Sequence, residues 1–168
     1  MRRTPTTRGY TLVEVLVVVT IIGIIGAIVV PQMVRGGALQ IQAAARAVIA
    51  DILVAQNEAI AQQAPRRVAI DLEQNRYRVA DAGGTTITAS WQAGAQYIVD
   101  FGNDQRFQGV RLDAANFDGD AFVEFDELGA PRNGGTIDLV SGDLRYRITV
   151  APFTGRVTVA PVASDPEE

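Results

Sequence analysis

Three residues near the start of the chain, Gly9, Tyr10 and Glu14, have the types and spacing to do chemistry together. Glu14 is a lone carboxylate inside an almost unbroken apolar run that begins at Leu12. An acidic side chain at the centre of a membrane-length helix costs about 2.5–3.5 kcal/mol, and less near its ends. Such a residue calls for a partner. Cleavage after Gly9 would give Tyr10 a free amine, and a free amine can pair with a carboxylate four residues further on. A second oxygen-rich cluster lies far downstream, in Asn116-Phe117-Asp118-Gly119-Asp120 and on to Glu127. Asn116, Asp118, Asp120 and Glu127 fall at the first, third, fifth and twelfth positions of a calcium-loop spacing. That spacing has Ala121 where the loop needs glycine, and no helices flank it, so Asn116, Asp118, Asp120 and Glu127 are weak calcium candidates and a solvated acidic turn is the plainer reading.

The elements that must position these residues follow from periodicity. Residues 1–9 form a polar leader with Arg2, Arg3 and Arg8. From Tyr10 to about Gln63 the pattern predicts one long helix in two parts. The first, 10–34, is apolar on every side, as a membrane span or filament core requires. Pro31, with no N–H to donate, predicts a kink or a local unwinding, and Gly36-Gly37 a second weak point. The second part, 35–64, is amphipathic. Ile41, Ala45, Val48, Ile52, Ala55 and Ala59 form a stripe that Ile49, Leu53 and Ile60 widen, the signature of a helix packed on a sheet. Pro65 ends it. From Arg66 the period changes to two, with strands expected around 66–72, 76–79, 87–91, 97–101, 110–112, 122–125, 136–140, 146–150 and 156–159, the first two as a hairpin. The fold class is therefore α+β: a long N-terminal helix packed on a C-terminal antiparallel β-sandwich covering 65–162, with an acidic tail at 163–168.

Composition removes several function classes. The chain has 168 residues, no cysteine and no histidine, and a net charge of −4. Disulfides, thiolate chemistry and the commonest general base and metal ligand are absent. No nucleophile–base arrangement is recognisable, so no enzyme activity and no cofactor are expected. Loss of Arg2, Arg3 and Arg8 with the leader takes the side-chain charge from −4 to −7. Nothing resembles a nucleic-acid footprint, and no nucleic acid is expected as a partner. Cytoplasmic leader charges put the C-terminal domain across the membrane. Trp91, Tyr97 and Phe101 read as core rather than as an exposed binding patch.

Gly9-Tyr10-Thr11-Leu12-Val13-Glu14 resembles the cleavage and methylation site of type IV pilin-like proteins, including the pseudopilins of type II secretion. Tyr10 stands where that family usually has phenylalanine. The resemblance implies that a prepilin peptidase cuts after Gly9 and methylates Tyr10. It implies that Glu14 neutralises the terminal amine of a neighbouring subunit, and that Pro31 belongs to the assembly helix. The C-terminal segments, Phe125 to Pro131, Gly134 to Ile137, Ile148 to Val150 and Thr154 to Val157, are similar to the H-type minor pseudopilins and the related FimT-like pilins. Together these imply a structural subunit of a type II secretion pseudopilus, single-pass in the inner membrane with a periplasmic domain. Its partners would be prepilin peptidase and other pilin-like subunits. The alternatives are a minor type IV pilin for pilus assembly or DNA uptake, and a membrane-anchored binding module that never polymerises. An ordinary signal peptide, cut near Gly36 and Ala38, leaves Glu14 unexplained.

Overall fold

A computed structural model describes residues 11–89 and 94–162, with the backbone alone for 26–36. Gly9, Tyr10, Trp91 and the tail 163–168 lie outside the described residues, as does the side chain of Pro31. One helix, α1, runs from Leu12 to Gln62. The chain divides into two compact units at the Gly36–Gly37 pair. The first consists of helix alone among its described residues.

The second unit holds the rest of α1 and eight strands: β1 Arg66–Asp71, β2 Arg76–Asp81, β3 Ile98–Asp100, β4 Arg111–Asn116, β5 Phe122–Phe125, β6 Gly135–Ser141, β7 Leu144–Val150 and β8 Val157–Val162. They form two four-stranded antiparallel sheets, ordered β3-β2-β1-β5 and β4-β6-β7-β8. A short 3-10 helix, Gln105–Phe107, precedes β4. The strand expected at 87–91 is not formed over its described residues; Thr86 and Thr88 make only isolated bridges.

The helix and both sheets share one core. Ile41, Ala44, Ala45, Val48, Ile52, Ala55 and Ala59 on α1 are all buried. The four alanines in this stripe let the helix backbone approach the sheets closely, while the β-branched residues fill the gaps. Full burial of each large apolar side chain is worth about 1.5–3 kcal/mol. From the sheets come Val68, Tyr77, Val79, Val123, Phe125, Ile137, Leu139, Ile148 and Val150. Each alternates with an outward residue, as a one-faced strand requires. Tyr97 and Phe101 are core residues as well, with the Phe101 ring edge-on to Tyr77 at 5.7 Å between centroids.

The expected width of the helical stripe needs correction. Leu53 and Ile60, assigned to the sheet-facing side, are 43% and 47% exposed. A core-facing helix buries an apolar stripe of roughly 100° or somewhat more, and here the smaller stripe fills it.

Candidate assembly site

The described part of the first unit begins with a helix cap. The Glu14 backbone N–H donates to the Thr11 hydroxyl oxygen at 3.2 Å. Thr11 thus satisfies one of the donors that every helix start leaves open. Thr-x-x-Glu is the spacing of a capping box, a signal in the sequence that the reading of Glu14 alone passes over. Glu14 lies in the first helical turn, where the helix dipole favours a negative charge. Among the described residues its carboxylate has no side-chain partner.

Every described side chain from Thr11 to Ile25 is exposed, from Leu12 at 81% to Val17 at 48%. An apolar helix with no sheltered face is stable only in lipid or against other helices. Thr20 fits such surroundings, since its hydroxyl donates to the Leu16 carbonyl at 2.8 Å and leaves no donor open. Among the described residues, the segment Gly37–Gln62 is long and apolar enough to cross a membrane, and Leu12–Ile25 is a shorter apolar helix. For Gly37–Gln62 that role conflicts with its packing, because one face of it lies in the protein core.

The second unit meets its polar needs internally. The Asp51 carboxylate on α1 accepts hydrogen bonds from the hydroxyls of Tyr77, at 2.5 Å, and Tyr97, at 2.6 Å. These bonds join the helix to β2 and to the residue before β3. Burial pushes the Asp51 carboxyl above its ordinary range, opposed by both hydroxyls. Tyr77 and Tyr97 are raised too, first by burial and then by Asp51 itself. No sequence signal points to this clamp, since its partners lie on distant strands.

On the outer face of the second sheet, Asp138 on β6 pairs with Arg147, its register partner on β7. Two hydrogen bonds of 2.7 Å, from Nε and a terminal guanidinium nitrogen, make the pair bidentate. Arg147 holds the Asp138 carboxyl below its usual range. Arg145 bridges Asp138 to Asp113 on β4. These groups tie three strands together and leave no reactive carboxylate.

The structure places Asn116 at the end of β4, and Asp118 and Asp120 in the tight connection from β4 to β5. Asp118 and Gly119 both have positive φ, 59° and 97°, and Phe117 and Asp120 pair across them. This is the Asp-Gly two-residue hairpin turn. The Asn116 side-chain oxygen accepts from the Gly119 N–H at 2.9 Å. Glu127 lies beyond β5, in the connection to β6. Among the described residues, no group of three or more acidic side chains is placed to hold a metal ion.

The C-terminal glycines have a packing reason. Gln56 donates to the Gly129 carbonyl at 2.7 Å. A Cβ on Gly129 would come within 2.7 Å of Ile60, and one on Gly155 within 2.8 Å of Gln56. Both residues also have positive φ. Two turns therefore close onto the C-terminal end of α1, and both lie in segments that carry the H-type resemblance.

Known proteins agree with this arrangement. Residues 5–30 match the prokaryotic N-terminal methylation motif. The type II secretion system protein H of Xanthomonas campestris pv. campestris is 28% identical over 156 residues, covering 92% of this chain and 84% of that protein. The chain is thus similar in sequence to a type II secretion protein H and carries the N-terminal methylation motif. The fold is shared with the minor pseudopilin EpsH of Vibrio cholerae, with a TM-score of 0.53 at 15% identity over 73% of this chain and 97% of that one. The type IV minor pilin FimU of Pseudomonas aeruginosa has the same fold, with a TM-score of 0.50 at 17% identity over 72% and 88%. The α+β class, with a long helix on antiparallel sheets, is thus the pseudopilin fold.

Proposed function

We propose that this chain is a minor pseudopilin, a structural subunit of a type II secretion pseudopilus, acting by assembly into a periplasmic filament that helps export proteins. The observation that carries this reading is the apolar helix with every described side chain exposed, headed by one carboxylate and preceded by the methylation motif. In this reading prepilin peptidase cuts after Gly9 and methylates Tyr10. Residues 10–34 hold the subunit in the inner membrane as a single span, with 35–162 on the periplasmic side. Glu14 then neutralises the Tyr10 amine of a neighbouring subunit, which removes two unpaired charges from an apolar filament core at once. Pro31 sits on the assembly helix, and the sheet unit faces outward to meet partners. The role is mechanical and not catalytic.

A minor type IV pilin is the second reading, favoured by the fold shared with FimU. Deleting the chain separates the two. Loss of exoprotein release with surface pili intact supports the pseudopilus, and the reverse supports the pilus. Processing is tested by intact mass and N-terminal sequencing of membrane-extracted protein. A start at N-methylated Tyr10 supports the pathway, and a start at Met1 or near Leu39 overturns it.

A further inference from the structure

The outward face of the first sheet carries a cation that its own fold does not pair. Val68, Ile70, Tyr77 and Val79 are buried in the core, so Arg67 and Ala69 on β1 and Arg76 and Arg78 on β2 lie on the opposite face. Arg67 is 2.8 Å from Glu124 on β5, and Arg76 is 3.4 Å from Asp71. Arg78 has no ion pair and no hydrogen bond among the described residues. Its neighbours on the sheet explain why. Ala69 stands opposite it on β1, and Ile98 on β3. Two positions away on its own strand are Ala80 and Arg76, a methyl group and a second cation. The Arg78 Nε is shut off from water and still has no acceptor. A donor withdrawn from water is normally paired, so this one is open to a partner from outside the chain.

A cavity of about 370 Å³ lies beside this guanidinium. Ala69, Leu72 and Ala121 supply apolar lining, Arg78 and Arg76 two cations, and Asp71 and Glu73 two carboxylates. That mixture selects among anions. A phosphate offers acceptors and a concentrated negative charge, which Asp71 and Glu73 repel. A polypeptide offers both kinds of group the lining calls for. A side-chain carboxylate suits the Arg78 fork, and backbone N–H groups suit the two carboxylates. The pair formed by Asp138 and Arg147 on the second sheet shows such a fork filled, with Nε and a terminal nitrogen both donating. The small alanine side chains leave room for the carboxylate to approach.

We propose that the cavity beside Arg78 is a recognition pocket for one acidic side chain, Asp or Glu, carried on an extended polypeptide segment of a partner protein. The carboxylate accepts from the Arg78 Nε–H and from a terminal N–H of the same guanidinium. The pocket lies wholly on the sheet unit, so it stands whether or not the chain assembles into a filament.

The unpaired Nε–H is its own reporter. The full-length chain is prepared in a non-ionic detergent with isotope-labelled arginine, and the Arg78 Nε–H resonance is identified by its loss in Arg78→Lys. The peptides acetyl-Ala-Glu-Ala-amide and acetyl-Ala-Gln-Ala-amide, and inorganic phosphate, are titrated at matched ionic strength. The Glu peptide should shift that resonance saturably, with an affinity about tenfold or more above that of the Gln peptide. An equal response to the two peptides overturns the proposal. Saturation by phosphate over the same range marks a site for simple anions and also overturns it. Binding to variants is then followed on the Glu peptide's own resonances. Arg78→Lys keeps the charge but loses the fork, and should bind several-fold more weakly. Ala69→Leu fills the pocket and should abolish binding with an unchanged melting temperature. If that variant misfolds, Arg78→Gln decides, since its side chain has no partner within the chain to lose. Arg111→Gln removes an exposed cation on β4 and should bind as the unaltered chain does. Losses of equal size in Arg111→Gln and Arg78→Gln would mean general charge attraction and overturn the pocket.

Discussion

Two carboxylates on the same helix have opposite surroundings. Asp51 is held by two tyrosine hydroxyls inside the folded unit, whereas Glu14 stands on an exposed apolar helix with no side-chain partner among the described residues. The first is satisfied by its own chain. The second has no side-chain partner in the described part of its own chain, and the apolar surface around it is likewise uncovered there. The difference separates a unit that meets its polar and apolar needs internally from a helical segment whose described side chains are all exposed.

The comparison is broken most severely at Glu14. Glu14→Ala should abolish recovery in sheared filament fractions while the melting temperature of the sheet unit stays unchanged. Recovery equal to that of the unaltered chain would mean that Glu14 has no assembly role. Phe125→Ala does the reverse, since Phe125 is fully buried. It should cost about 3–5 kcal/mol of folding stability by denaturant titration. A loss under 1 kcal/mol would place Phe125 outside the rigid core.

Smaller effects sharpen the Asp51 side. Tyr77→Phe removes one of two hydrogen bonds to a carboxylate and should cost about 1.5–3 kcal/mol. A double-mutant cycle with Asp51→Ala should show coupling of the same sign, and additivity would disprove the clamp.

The smallest effect lies in the acid limb of stability. Asp138 is lowered in the folded state, so its contribution is present above its unfolded pKa, near 4, and is lost as pH falls through the lower folded value. Asp51 is raised and has the opposite sign: its contribution is present below about pH 4 and is lost as pH rises through the raised value. Asp138→Asn should therefore flatten the fall in melting temperature on acidification, and Asp51→Asn should flatten the change at higher pH. Identical profiles for both variants would contradict these opposite signs.

Much of the fold was legible because it was local. The stripe from Ile41 to Ala59 and the alternation in β1, β5, β6 and β7 are periodic signals, and periodicity reports which face is buried. It does not report how much of a helix a sheet will cover, which is why Leu53 and Ile60 read as core. The Asp51 clamp was not legible, because Tyr77 and Tyr97 lie 26 and 46 residues downstream with no pattern linking them. Asn75 is a similar case. Its side chain donates to the Val110 carbonyl and accepts from the Leu112 N–H, joining the β1–β2 turn to the start of β4. The Asp118-Gly119 turn was written in the sequence as a hairpin dipeptide, but the surrounding carboxylates drew attention to their oxygens instead.

The strand β8 pairs only with β7 and so forms one margin of the second sheet, with Pro161 near its end. A proline ring puts no hydrogen on its nitrogen, so that margin is an interrupted template for a further strand. By interrupting that edge, Pro161 makes the addition of a further strand to the second sheet less favourable.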